Sequence, residues 1–100
     1  MTPEGKVKAW VKRTLDDAGA YYFMPPANGY GRAGIPDFVC CVNGRFLAIE
    51  TKAGKGKTTA LQDREMQRIR DAQGVAIVVT DNPATQEILL IVLQHLKETQ

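Results

Sequence analysis

Two apolar, β-prone runs, Ile35 to Val42 and Arg45 to Lys52, are separated only by Asn43-Gly44. Asn-Gly accepts the positive φ angles of a type I′ turn, whose twist matches that of the strands it joins. This dipeptide therefore predicts a hairpin with a single register. Val42 faces Arg45, and counting back along both strands Asp37 faces Glu50. Directly opposed residues share one face of a sheet, with Cβ atoms about 4.5–5.5 Å apart. Lys52, two residues past Glu50, projects from that same face. The turn alone gathers two acids and an amine.

The rest of the chain supplies a frame for the hairpin. Thr2-Pro3 reads as N-cap and first helical residue, and Val7, Trp10, Val11, Leu15 and Ala18 recur at helical spacing up to Gly19. Ala20 to Met24 is short and β-prone, and Pro25 to Gly34 is a Gly/Pro-rich loop. A second helix is predicted from Thr59 to about Gln73, ended by Gly74, and a buried strand over 75–79. The last segment, to about Lys97, reads as a helix, although its run Ile88 to Leu93 also suits a strand. The order α-β-β-β-α-β-α implies an α/β fold, a small mixed sheet flanked by helices with an apolar C-terminal helix. At 100 residues and 44% hydrophobic, the chain 1–100 is expected to be a single globular domain.

Composition excludes several classes of function. One His and two adjacent Cys (Cys40, Cys41) are too few for a structural zinc site or a disulfide framework. The N-terminal residues lack the apolar core of a secretory signal, and the longest apolar run is far short of a membrane span. A cytoplasmic location is expected, with no membrane partner and no organic cofactor. The net charge of +2 identifies no partner by itself.

The two hairpin strands are otherwise apolar on both faces, so both faces are expected to be covered. Two carboxylates on a covered sheet resist ionising together. A divalent cation removes that cost, and hard oxygen ligands suit Mg²⁺, with Mn²⁺ able to substitute. The plainer alternative is a cross-strand salt bridge in which Lys52 balances one acid.

Gly34-Ile35-Pro36-Asp37 followed by Glu50-Thr51-Lys52 resembles the PD-(D/E)xK nuclease superfamily. Together with the short chain and Gln62, it looks most like the virus-type replication-repair nuclease (VRR-NUC) branch in its stand-alone phage and bacterial form, over about Glu4 to Val79. The resemblance implies a restriction-endonuclease-like αβββαβ core. It also implies metal ligation by Asp37, Glu50 and the Thr51 backbone carbonyl, and a catalytic Lys52 acting on the attacking water and the phosphate.

Glu4 and Gln62 each have two readings. Glu4 falls on the core stripe of the first helix, where an acid can simply favour the helix N-terminus; the resemblance implies contact with a metal or its water. Thr59-Ala60-Leu61-Gln62 fits a capping box, whereas the resemblance places Gln62 beside the catalytic lysine.

Basic residues cluster on the first helix (Lys6, Lys8, Lys12, Arg13) and around the second. Tyr30, Arg32, Lys55, Lys57 and Arg64 are the expected DNA contacts, mostly to backbone phosphate, which favours reading DNA shape over sequence. The apolar last helix suggests a homodimer, and two-fold symmetry would place two sites on a four-way junction. The expected activity is that of a metal-dependent endonuclease for branched DNA, of the Holliday-junction resolvase type. Flap or duplex cleavage by the same residues, and a non-catalytic nucleic-acid-binding module, are the rivals.

Overall fold

A computed structural model describes residues 1–26 and 33–99. The described residues form three helices, α1 (Pro3–Asp17), α2 (Ala60–Asp71) and α3 (Pro83–Glu98), and four strands, β1 (Tyr21–Phe23), β2 (Phe38–Val42), β3 (Arg45–Thr51) and β4 (Val75–Val79), in the chain order α1-β1-β2-β3-α2-β4-α3. The last segment is thus helical, the first of its two readings. The strands lie in the order β1-β2-β3-β4, with β1, β2 and β3 antiparallel. β4 runs parallel to β3, and α2 makes the crossover between them.

The hairpin has the expected register, Val42 opposite Arg45 through to Phe38 opposite Ile49. Asn43 and Gly44 take φ values of 52° and 78°, as the type I′ turn requires. The Asn43 side chain donates to the carbonyls of Leu96 (3.1 Å) and Thr99 (2.7 Å), tying the turn to the end of α3. The start of the first helix is also as read. Thr2 caps α1 through the Gly5 amide, Asn82 caps α3 through the Ala84 amide, and Pro occupies the first turn of both. α2 ends earlier than its sequence suggests, because Gln73 rather than Gly74 adopts the left-handed conformation (φ 74°). Gly74 is needed for another reason: a Cβ there would crowd Ile69 and Phe46.

One sheet face carries the main core, where Val7, Val11 and Leu15 of α1 and Leu89, Leu93 and Leu96 of α3 pack on Phe38, Cys40, Leu47, Ile49 and Val79. On the other face α2 buries Met66 against Ala48 and Ala76. That second cover is partial, contrary to expectation. Tyr21, Phe23, Cys41 and Phe46 remain exposed because the single helix α2 lies over β4 and β3 and leaves β1 and β2 bare. α3 likewise buries one stripe and exposes Ile88, Leu90 and Ile91. Among the described residues, no helix is long and apolar enough to cross a membrane.

Candidate active site

The C-terminal end of β3 is where the polar groups converge. Glu50 and Thr51 are its last two residues, buried between β2 and the parallel partner β4. Asp37 stands just before β2, one step beyond the last pair of the ladder, so it lies in register with Glu50 without being bonded to it as a strand residue. This freedom lets its carboxylate turn onto the end of β3. Asp37 Oδ2 accepts from the Thr51 amide (2.9 Å) and the Thr51 hydroxyl (2.7 Å).

The approach to Asp37 is held by Gly34. Its φ of 83° lies in the left-handed region, and a Cβ there would run into the Leu61 carbonyl in the first turn of α2. That contact seats α2 against the Pro36-Asp37 turn and brings Gln62 over Glu50. Gln62 completes the capping box and also reaches the acidic pair. Its Oε1 accepts from the Thr59 amide (2.9 Å), completing the capping box, while its Nε2 donates to Glu50 Oε1 (3.2 Å).

The other oxygen of Glu50, Oε2, is buried with no donor to accept from, and a hydrogen bond between Glu50 and Asp37 requires Glu50 to carry a proton. Burial first, then hydrogen bonding and charge from Asp37, push the Glu50 carboxyl up to about 8; the Lys52 charge opposes this and the Glu4 charge adds to it. Burial also disfavours the Asp37 carboxylate. There, however, hydrogen bonds from Glu50 and from the Thr51 hydroxyl and amide prevail, aided by the Lys8 charge, and hold it below the usual range. The two acids are thus pushed apart, Asp37 towards its ionised form and Glu50 towards its protonated one. Oε2 of Glu50 is the atom at which a proton, or a cation in its place, relieves the burial.

This donor set suits a hard divalent cation: two adjacent carboxylates, one with a buried oxygen that no donor satisfies. The set is small. Among the described residues no three His, Cys, Asp or Glu side chains form a group able to hold a metal, so Glu4 does not close with Asp37 and Glu50. Glu4 instead meets Lys8 (3.6 Å). Lys52 is half-buried where the chain leaves β3, its amide donating to the Val79 carbonyl (3.1 Å). An open groove passes this point, lined by Thr2, Pro3 and Glu4 on one side and Lys52, Gly54 and Lys57 on the other.

Three contacts lie beyond what the sequence alone singles out. Lys8 reaches Asp37 Oδ1 (3.9 Å) as well as Glu4; its i,i+4 spacing from Glu4 is the available signal. The Thr51 side chain orients Asp37, where only its carbonyl was expected to matter. Asp81 accepts from the Gly54 amide (3.2 Å) and so anchors the basic loop after Lys52. Lys55, Lys57 and Arg64 are exposed, whereas Tyr30 and Arg32 lie outside the described residues.

No family model matches the sequence, and no curated protein matches it. Solved structures do. A VRR_NUC domain superimposes with a TM-score of 0.76 at 24% identity, covering 89% of this chain and 96% of that one. The chain has the VRR_NUC fold. The Holliday junction resolvase Hjc from the archaeal hyperthermophile Archaeoglobus fulgidus is also similar, with a TM-score of 0.58 at 21% identity over 76% of this chain and 66% of that one. The restriction-endonuclease-like arrangement expected from the Pro-Asp and Glu-x-Lys motifs is therefore the one found, and the VRR_NUC fold places both motifs at one rim of the sheet.

Proposed function

We propose that this single-domain chain is a divalent-metal-dependent, structure-selective DNA endonuclease that hydrolyses phosphodiester bonds in branched DNA. The observation that carries this reading is the buried Oε2 of Glu50, which no donor satisfies, beside Asp37 and two residues before Lys52, which lines the groove together with Glu4 and Lys57. Asp37 and Glu50 would hold Mg²⁺, or Mn²⁺ in its place, with the Thr51 carbonyl as a further oxygen ligand and Glu4 acting through water. Such an ion lowers the pKa of a bound water and polarises phosphoryl oxygens, which makes in-line attack on a phosphodiester feasible at neutral pH.

The chain's own residues complete the chemistry. Thr51 fixes Asp37 Oδ2, and Gln62 fixes Glu50 Oε1, so the remaining carboxylate oxygens are the ones presented. Lys52 orients the attacking water and offsets charge on the phosphate. Lys55, Lys57 and Arg64 bind the DNA backbone, which gives affinity that falls steeply with salt. A homodimer acting as a Holliday-junction resolvase in the cytoplasm is the fuller form of this reading. It is supported by Ile88 (49% exposed) and Ile91 (60%) on the outer face of α3, and by the likeness to a resolvase fold.

Cleavage of a labelled four-way junction, beside matched duplex and flap DNA, tests this in Mg²⁺, Mn²⁺ and EDTA with Lys52→Ala as control. Paired, metal-dependent cuts in the junction that vanish in Lys52→Ala are expected. Cutting of flap or duplex alone would discard the resolvase role, and no metal-dependent cutting of any substrate by folded protein would discard the nuclease.

A further inference from the structure

Lys8 belongs to α1, whereas Asp37 belongs to the turn that enters β2. Its Nζ lies 3.6 Å from Glu4 Oε2 and 3.9 Å from Asp37 Oδ1. Both distances exceed the roughly 2.7–2.9 Å of a charge-assisted hydrogen bond. The ammonium is therefore held between two carboxylates by charge rather than by directed bonding. A surface i,i+4 pair would need only Glu4; the second carboxylate comes from another element. Which oxygen it faces matters more. Oδ2 of Asp37 is occupied by the amide and hydroxyl of Thr51, so Oδ1 is the oxygen left for a cation, and it is the one Lys8 faces. The Lys8 side chain is 32% exposed on a flexible stem, so nothing locks it in place.

Resting on the metal-dependent reading above, we propose that Lys8 is the site's built-in counterion, which balances Asp37 and Glu4 in the metal-free protein and passes to the DNA backbone when a divalent cation takes Asp37. A cation on Oδ1 meets the ammonium as a like charge, and the groove beside Glu4, already flanked by Lys52 and Lys57, is where a phosphate would receive it. Two consequences follow. Without DNA, Lys8 competes with the metal and weakens its binding. With DNA, it gives a phosphate contact that exists only when metal is present, so each ligand strengthens the other by the same factor.

The test uses Lys8→Gln, Lys8→Met and the charge-retaining Lys8→Arg in the full chain, with folding checked by thermal melting. Calorimetric titration with Mn²⁺ alone should show both neutral variants binding about 5- to 20-fold tighter than wild type, and Lys8→Arg within about twofold of it. Binding of a four-way junction is then followed over a salt series in the cleavage-blocked Lys52→Ala background. Lys8→Gln should lower the slope of log K against log salt by about 1 with Mn²⁺ present and leave it unchanged in EDTA. Saturable Mn²⁺ binding by wild type with unchanged affinity in both neutral variants would overturn the role of Lys8 alone. So would an equal loss of slope with and without metal. No saturable Mn²⁺ binding by wild type would overturn the metal-dependent reading, and this inference with it.

Discussion

Replacing Glu50 by glutamine should make the metal-free protein more stable above neutral pH while destroying its metal site. The folded-state pKa of Glu50 stands at about 8 against an ordinary 4.5, raised first by burial and then by Asp37. A carboxyl raised on folding contributes its full stability below the unfolded value, and that contribution is lost as pH rises through the folded value. Wild type should therefore weaken between pH 4.5 and about pH 8, the window set by those two values, with the loss complete by about pH 9. At 1.36 kcal/mol per pKa unit the ceiling is about 5 kcal/mol. Relaxation of the site around the charged form brings the expected figure to about 1–3 kcal/mol. The introduced amide is isosteric with the carboxyl and can still accept from Gln62, so the Glu50→Gln variant should escape the loss. Urea denaturation in EDTA measures this directly, with Glu50→Gln and wild type similar near pH 5 and the variant more stable by that amount at pH 9. Saturating Mg²⁺ should restore wild type at pH 9 by binding the folded state, about 2.7 kcal/mol at a hundred times Kd, and should leave Glu50→Gln largely unmoved. A variant no more stable than wild type at pH 9, with a parallel pH profile, would refute the argument that Glu50 is buried at electrostatic cost.

Gly34→Ala combines a positive φ with a backbone clash at Leu61, and should cost about 2–4 kcal/mol in urea denaturation and most of the cleavage activity. Gln62→Ala removes the reciprocal half of the capping box and the Glu50 contact together, leaving the Thr59 cap in place; about 1 kcal/mol of stability should go, with cleavage falling at least about tenfold in protein that remains folded. Paired Ile88→Glu and Ile91→Glu substitutions on the exposed side of α3 should change stability by less than about 0.5 kcal/mol. In light scattering they should shift the mass of a dimer to that of the 11.0 kDa monomer; a wild type already monomeric at micromolar concentration would remove the dimer.

Local chemistry made much of this molecule legible beforehand. Asn43-Gly44 set the register by turn geometry alone, and register brought Asp37 and Glu50 together without any tertiary information. Thr2 and Thr59 announced the starts of α1 and α2 because capping is decided within four residues. What escaped depends on contacts between elements. Lys8 reads as one more charge on a basic helix until Asp37 is placed beside it. Gln62 offered two roles that looked exclusive, since the sequence does not reveal that the two ends of one amide point to different partners. The bare half of the sheet was hidden for a related reason. Strands apolar on both faces predict cover on both, but one helix of twelve residues cannot span four strands.

The hairpin turn also decides how this protein can vary in length. Asn43-Gly44 sits at the far end of the ladder from Asp37 and Glu50, yet every pair between them inherits its count from that turn. One residue added there would send the alternation of one strand out of step and turn its apolar set to the opposite face. Asp37 would lose its place opposite Glu50, and the result would be a misaligned sheet rather than a damaged loop. An insertion at the exposed Gly54–Lys57 segment, by contrast, lengthens a loop without renumbering any pair. Natural variants should therefore tolerate added residues near the groove and none at the distant turn. A screen of single-residue insertions across the chain, scored for cleavage, would place the most sensitive position away from the catalytic residues.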